Sequence, residues 1–180
     1  MKKLLSIILA LAMMFSVLPA STVLVYADVI TETISADTTW NDGDTVGGVT
    51  ISGGTVTING NVGITAAITI KGNVTFTGGG TLNRMSPSGN LIKVESGSLT
   101  LNNVTIDGND VIISDSGAVA AINMADGTVI MNDGAKITNH KRTSGYGPAV
   151  YMAGGNFKMK GGTISGCESR NYGGAIYLDG

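Results

Sequence analysis

Short runs of alternating apolar and polar residues make up most of the chain after residue 48. The runs VTIS, TVTIN, AITI and VTFT are rich in β-branched residues, and glycine and asparagine separate them. Alternation with a period of two is typical of β-strands that bury one face. No window after residue 27 places apolar residues at helical spacing over three turns. The pattern therefore predicts an all-β fold built from short strands.

Four segments repeat one pattern at nearly constant spacing. LIKVESG at 91–97, AINMADG at 121–127, AVYMAGG at 149–155 and AIYLDG at 175–180 begin 30, 28 and 26 residues apart. Two further apolar runs and a loop of variable length follow each of the first three segments. Upstream, the strand cores within 49–82 lie closer together and indicate turns of about 19 residues. We therefore expect three short strands in each repeat.

The aligned repeats carry apolar residues at matching positions. In the first strand, the inward pairs are Ile92/Val94, Ile122/Met124, Val150/Met152 and Ile176/Leu178. Stacked parallel strands that line a closed interior require such columns, and each fully buried Ile, Leu or Met contributes about 1.5–3 kcal/mol. The sequence predicts a right-handed parallel β-helix with three short strands per coil, and its hand follows from the crossover preference.

The first 27 residues have the parts of a secretory signal peptide. Lys2 and Lys3 precede an apolar run over 4–18, and small residues at 25 and 27 favour cleavage after Ala27. The sequence thus predicts export, to the extracellular space or the cell surface. An uncleaved membrane anchor is the alternative, but polar residues and a proline at 19–22 disfavour it.

The mature chain divides into a leader and a solenoid. Residues 28–48, which include Trp40, are expected to cap the first coil, because an open end would expose strand edges and core. Residues 49–180 form the coils. The segment 175–180 begins a coil without its second and third strands, so we expect a β-helix truncated at its C-terminal end, the N-terminal part of a longer protein.

The repeats resemble a known family. GGAIYL at 173–178, GPAVYM at 147–152 and GGTISG at 161–166 are similar to the pectin lyase-like right-handed β-helix repeats of bacterial surface proteins. That group includes the polymorphic outer-membrane proteins and autotransporter adhesins. The resemblance covers 91–180 clearly and 49–90 loosely. It implies a β-helix and an adhesin-like role.

The family also implies an internal asparagine ladder at the corner after the GGTIS-G unit. In this chain Asn109, His140 and Cys167 occupy that position in successive repeats, so the ladder is broken. Cys167 is the single cysteine, and no intrachain disulfide can form. It is interpreted as a buried free thiol, with intermolecular pairing as the alternative.

The charge and composition of the mature chain limit the classes of partner that it is expected to bind. Without Lys2 and Lys3, the mature chain has 9 basic and 13 acidic side chains, a net charge of −4. The absence of a basic stripe argues against nucleic acid and anionic membranes as partners. No transmembrane domain is predicted in the mature chain.

No catalytic site is predicted in residues 1–180. Polysaccharide lyases and hydrolases share the β-helix superfamily, and their chemistry needs two or more acidic residues in one groove. No aligned column places two acidic residues on adjacent coils. We therefore assign no catalytic residue, no metal ligand and no cofactor. The basic run His140-Lys141-Arg142 is interpreted as an exposed loop start.

Tyrosines supply the candidate binding residues. Tyr151 and Tyr177 occupy matching outward positions and are predicted to form an exposed aromatic ladder about 4.8 Å apart. Tyr146 and Tyr172 repeat at the corner between loop and strand. The ladder would stack on a sugar or a surface partner, or it would serve only as cross-strand packing over a glycine-rich backbone.

The sequence therefore favours a secreted or cell-surface scaffold with an adhesin-like role, which binds polysaccharide or a host or cell-surface protein. Two alternatives stay open. One is the N-terminal part of a polysaccharide lyase or hydrolase whose catalytic residues lie beyond residue 180. The other is a purely structural surface stalk.

Overall fold

A computed structural model describes residues 29–170 and 174–179, and these residues form strands, turns and bends without a helix. The all-β prediction is therefore confirmed for this part of the chain. None of these residues belongs to a helix long and apolar enough to cross a membrane. The predicted signal peptide, residues 1–27, lies outside the described residues.

Most of the strands are short, as the alternating runs predict. In chain order they are β1 Val29–Ile30, β2 Thr33–Ile34, β3 Thr38–Trp40, β4 Thr45–Val46, β5 Thr50–Ile58, β6 Asn61–Ile64, β7 Ile68–Thr77, β8 Thr81–Arg84, β9 Ile92–Val94, β10 Ser98–Leu101, β11 Thr105–Asp107, β12 Ile112–Ile113, β13 Ile122–Met124, β14 Thr128–Met131, β15 Lys136–Thr138, β16 Lys141–Arg142, β17 Val150–Met152, β18 Asn156–Met159, β19 Thr163–Ser165, β20 Glu168–Ser169 and β21 Ile176–Leu178.

The strands form three sheets, and the paired strands described are parallel. The first sheet has the order β1-β4-β6-β8-β11-β15-β19. The second contains the path β18-β14-β10-β7-β9-β13-β17-β21, with β5 beside β7 and both β2 and β3 beside β5. The third is β12-β16-β20. Most strands pair with the strand one repeat earlier or later, an arrangement compatible with a parallel β-helix.

The strand pairs have the register that the sequence predicts. Ile122 pairs with Ile92 and with Val150, and Val150 pairs with Ile176. The second strands pair Leu99 with Val129 and Val129 with Phe157, and the third strands pair Ile106 with Ile137 and Ile137 with Ile164. Because the pairing is parallel and in register, each apolar column lines the interior over successive repeats.

The burial of the methionines in these columns differs between the earlier and the later repeats. Met124 and Met131 are fully buried, as expected for core residues, and Met152 is partly buried against the core. Met159 is 49% exposed and Leu178 is 68% exposed. Both lie in the last repeats described, where no described strand packs over them.

Two features of the strands differ from the sequence prediction. The runs predicted as separate strands at 49–51 and 56–58 join into the single strand β5, whose register shifts between Ile51 and Gly53. The runs predicted at 68–70 and 74–76 join in the same way into β7. In addition, the two-residue strands β12, β16 and β20 lie in segments interpreted as loops. A strand of two residues is too short to show alternation, so the sequence pattern could not predict these strands.

The leader contributes strands to the same sheets. β2 and β3 pair with β5, while β4 pairs with β6. Trp40 on β3 is buried and packs edge-on against Phe76, with ring centroids 6.0 Å apart at 61°. Residues 29–46 thus continue the core, and their predicted role as a cap stays a prediction.

One corner of the repeat is built from glycine. Gly97, Gly127 and Gly155 occupy matching positions between the first and second strands, with φ of 73°, 84° and 78°. A Cβ on Gly127 would lie 2.7 Å from the carbonyl oxygen of Gly97 in the repeat before it. The stacked corners are therefore too close for any larger residue, and positive φ disfavours one as well.

Gly127→Ala is expected to destabilise the fold more than Gly117→Ala. Both positions have positive φ, which costs an alanine about 1–2 kcal/mol, but a Cβ at Gly117 would meet no atom within 4 Å. Gly127→Ala adds the overlap with a backbone carbonyl, so its loss should be greater by about 1 kcal/mol or more. Urea denaturation of the two variants measures the difference, and equal losses would contradict the corner argument.

Candidate functional site

Three of the predicted tyrosines meet at the surface beside β17 and β21. Tyr151 and Tyr177 are paired in register, and their ring centroids lie 5.6 Å apart at 23°. Tyr146 lies in the loop before β17, and its ring stacks on Tyr177 with centroids 4.5 Å apart at 24°. We refer to Tyr146, Tyr151 and Tyr177 as the tyrosine stack. Tyr172 lies outside the described residues.

The predicted exposure of Tyr151 is wrong. This side chain is 7% exposed, because the Tyr177 ring stacks on it and its hydroxyl donates a hydrogen bond to Oδ2 of Asp179. That hydrogen bond, followed by burial, raises the pKa of Tyr151 to about 12. Tyr146 and Tyr177 are half-buried and form the accessible part of the stack. Binding by these residues stays a prediction.

The stack continues an outward column of the first strands. Lys93 pairs with Asn123, Asn123 with Tyr151, and Tyr151 with Tyr177. Lys93 is exposed, whereas Asn123 is half-buried and its Nδ2 donates to the carbonyl of Ala118 at 2.6 Å. The loop before β13 therefore folds back along the same face that carries the tyrosines.

A buried arginine holds the backbone of Tyr146. Arg142 is 3% exposed, and its Nη1 donates to the carbonyl oxygens of Tyr146, at 2.8 Å, and Val119. Nη2 donates to the carbonyls of Asp115 and Gly117, each at 2.9 Å. Burial lowers the pKa of Arg142, and the nearby Asp115 carboxylate partly opposes that effect. One guanidinium thus joins two loops that are distant in sequence.

The interpretation of residues 140–142 as an exposed loop start is wrong. His140 and Arg142 point into the interior, while Lys141 between them points outward and pairs with Asp110 at 2.8 Å. The physical reason is the strand β16, because successive residues of a strand face opposite sides. Lys141 and the exposed Ile112, Glu168 and Arg170 lie along a shallow depression beside the third sheet.

Arg84 makes the same kind of contact two repeats earlier. It is almost fully buried, and its Nη1 donates to the carbonyls of Ser86, at 3.2 Å, and Gly89, at 2.9 Å. Nη2 reaches the carbonyl of Ala120 at 3.3 Å. Burial lowers the pKa of Arg84 to about 10, against the attraction of Asp115. Both arginines therefore satisfy the carbonyls of irregular loops.

His140 is fully buried and neutral. Its Nε2 lies 3.4 Å from the carbonyl oxygen of Ile106, a contact in which the protonated Nε2 donates, and its Nδ1 has no hydrogen-bond partner among the described residues. Burial, followed by the positive charge of Arg84, lowers the pKa of His140 to about 3. The histidine is therefore a core residue.

The side chains at the predicted ladder position do not bond to one another. Asn109 Nδ2 donates to the carbonyl of Arg84 at 3.5 Å, and the partly buried Cys167 has its Sγ 3.3 Å from the carbonyl of Ser165. Side-chain amides of neighbouring repeats do bond elsewhere: Asn132 Nδ2 donates to Asn102 Oδ1 at 2.7 Å, and Asn83 Nδ2 donates to Asn61 Oδ1 at 3.5 Å. The sequence signal for the contact between Asn132 and Asn102 is the repeat of LNN at 101–103 by MND at 131–133.

Within 29–170 and 174–179, no three His, Cys, Asp or Glu side chains are grouped closely enough to hold a metal ion. Comparison of the chain with protein-family models, curated proteins and solved structures found no match. The tyrosine stack is a place on the described surface where aromatic side chains from neighbouring repeats lie together.

Stability should fall as the pH decreases below about 6.5, where an unfolded histidine becomes protonated. The folded state keeps His140 neutral down to pH about 3. The unfolded state therefore binds more protons between these values, and the free energy of unfolding decreases by up to about 1.4 kcal/mol per unit decrease in pH.

Urea denaturation between pH 7 and 5 measures this effect, since His140 is the single histidine. His140→Asn is the control, because its free energy of unfolding should not depend on pH in this way. A pH-independent wild-type protein in that range would contradict the assignment.

Proposed function

We propose that the chain is a right-handed parallel β-helix with three strands per coil, of the pectin lyase-like type found in bacterial surface proteins. Support comes from the three sets of strands that pair one repeat apart: β9-β13-β17, β10-β14-β18 and β11-β15-β19. The third sheet adds a short fourth strand to the longer repeats. Right-handed crossover is the strong preference for parallel strands connected in this way.

We propose that this β-helix is a secreted or cell-surface scaffold with an adhesin-like role, and that its tyrosine stack binds a polysaccharide. The observation that carries the proposal is the stacking of Tyr146 on Tyr177 at 4.5 Å, at a half-buried surface position. Tyrosine rings combine an apolar face with a polar hydroxyl, which suits a sugar with C–H and O–H groups on one ring. The net charge of −4 after the signal peptide favours an uncharged glycan over an acidic one.

A structural stalk is the second candidate. The observation in its favour is the burial of Tyr151, whose hydroxyl is already bonded to Asp179 and whose ring is stacked on Tyr177. Cross-strand aromatic pairs of this kind stabilise a sheet by about 0.2–1 kcal/mol without any ligand. Under this proposal the stack contributes only to packing.

Glycan binding by the exported chain separates the two candidates. We expect the wild-type protein to bind neutral glycans on an array, and Tyr146→Ala and Tyr177→Ala to bind about tenfold more weakly, a loss of about 1.4 kcal/mol. Lys158→Ala is the matched control, because Lys158 is exposed on β18 and lies outside the stack. Absence of wild-type binding would leave the stalk as the function. Equal binding by all variants would mean that the glycan binds outside the tyrosine stack, and would contradict the proposed site.

A further inference from the structure

Two contacts among the described residues constrain the loop that carries Tyr146. On one side, the Tyr146 carbonyl accepts a hydrogen bond from Arg142. On the other, a Cβ added to Gly147 would lie 2.6 Å from the backbone nitrogen of Tyr177, so the chain directly after Tyr146 lies against β21. Of these two contacts, the one with Arg142 is made by a side chain that can be replaced.

The same guanidinium also organises the neighbouring loop of the preceding repeat. It binds the carbonyls of Asp115, Gly117 and Val119, which belong to the segment before β13. Ser144 Oγ adds a contact to the carbonyl of Asp115 at 3.3 Å. A Cβ on Gly145 would overlap the Arg142 guanidinium, so the loop also packs directly on the side chain it surrounds.

This contact requires arginine in particular. A guanidinium presents its donors in a rigid plane and binds several acceptors at once, whereas an ammonium is a compact, strongly hydrated charge. Burial of a charge is costly unless hydrogen bonds satisfy it, and four carbonyl oxygens do so for the two terminal nitrogens of Arg142. Loss of the guanidinium would leave those carbonyls without this donor.

We propose that Arg142 is the positioning residue of the tyrosine stack: by binding the Tyr146 carbonyl together with three carbonyls of the preceding loop, it holds the Tyr146 ring against Tyr177. Its significance for ligand binding rests on the function proposed above. Arg142 touches no ligand in this scheme and acts through Tyr146.

Arg84 provides a matched comparison. It is as deeply buried as Arg142 and donates to three loop carbonyls, but none of them belongs to Tyr146. If any buried arginine were needed only for folding, replacing Arg84 and replacing Arg142 should change the tyrosine stack to the same extent. A positioning role predicts that only the Arg142 variant changes the tyrosine stack.

Near-ultraviolet circular dichroism of the tyrosines reports the stack without any ligand. The difference between the wild-type and Tyr146→Leu spectra assigns the band of the stacked pair. We expect Arg142→Met to lose most of that band while its far-ultraviolet spectrum keeps the strand signal. Arg142→Lys should keep part of the band, and Arg84→Met should retain it.

Two results would overturn the proposal: a full tyrosine band in Arg142→Met, or an equal loss in Arg84→Met. Should Arg142→Met fail to fold, Gly145→Ala supplies the test, because its methyl group displaces the guanidinium and should weaken the same band. Glycan binding is measured in parallel, and Arg142→Met should bind about tenfold more weakly than the wild type. If the wild type binds no glycan, the proposed function fails, whereas the spectra still decide whether Arg142 positions Tyr146.

Discussion

The in-register parallel pairing of inward apolar residues is the constraint on which the rest of the structure depends. Val150 lies between Ile122 and Ile176, and each of these contacts places the next outward residue as well. Because side chains alternate, a slip by one residue would turn the apolar column outward and the tyrosines inward. The pairing of Tyr151 with Tyr177 is thus a consequence of the pairing in the core. The surface chemistry of this fold is set by the same register that buries its interior.

The segments that connect stacked parallel strands must fit closely together and satisfy their backbone carbonyls. The described residues do this in two ways. Tight corners use glycine, as at Gly127, where the corners of successive repeats approach too closely for a Cβ. Longer loops pair with a neighbouring repeat through the two-residue strands of the third sheet, and buried carbonyls outside those strands need another donor. Arg84 and Arg142 supply that donor from inside. The buried arginines and the expanded loops therefore belong together.

The features that could be predicted from the sequence are those with a local pattern that repeats. The columns through Ile122 and Met124, and the pairing of Tyr151 with Tyr177, follow from the alternation and the alignment of repeats. The burial of Arg142 could not be predicted, because three consecutive basic residues look exposed and β16 is too short to show alternation. The burial of Tyr151 also escaped, since it depends on Asp179 and the Tyr177 ring, which reach it from the adjacent repeat.

The tyrosine stack joins residues whose positions are determined in two different ways. The inward positions of β17 and β21 are constrained by the core, and their outward positions are set by the register. Tyr146 lies on a loop, where length and composition vary between repeats. The contact between Tyr146 and Tyr177 therefore joins a variable element to a constrained one. We therefore expect a substitution in the loop to change the geometry of the stack more than the apolar columns, provided that a buried donor such as Arg142 still satisfies the loop carbonyls.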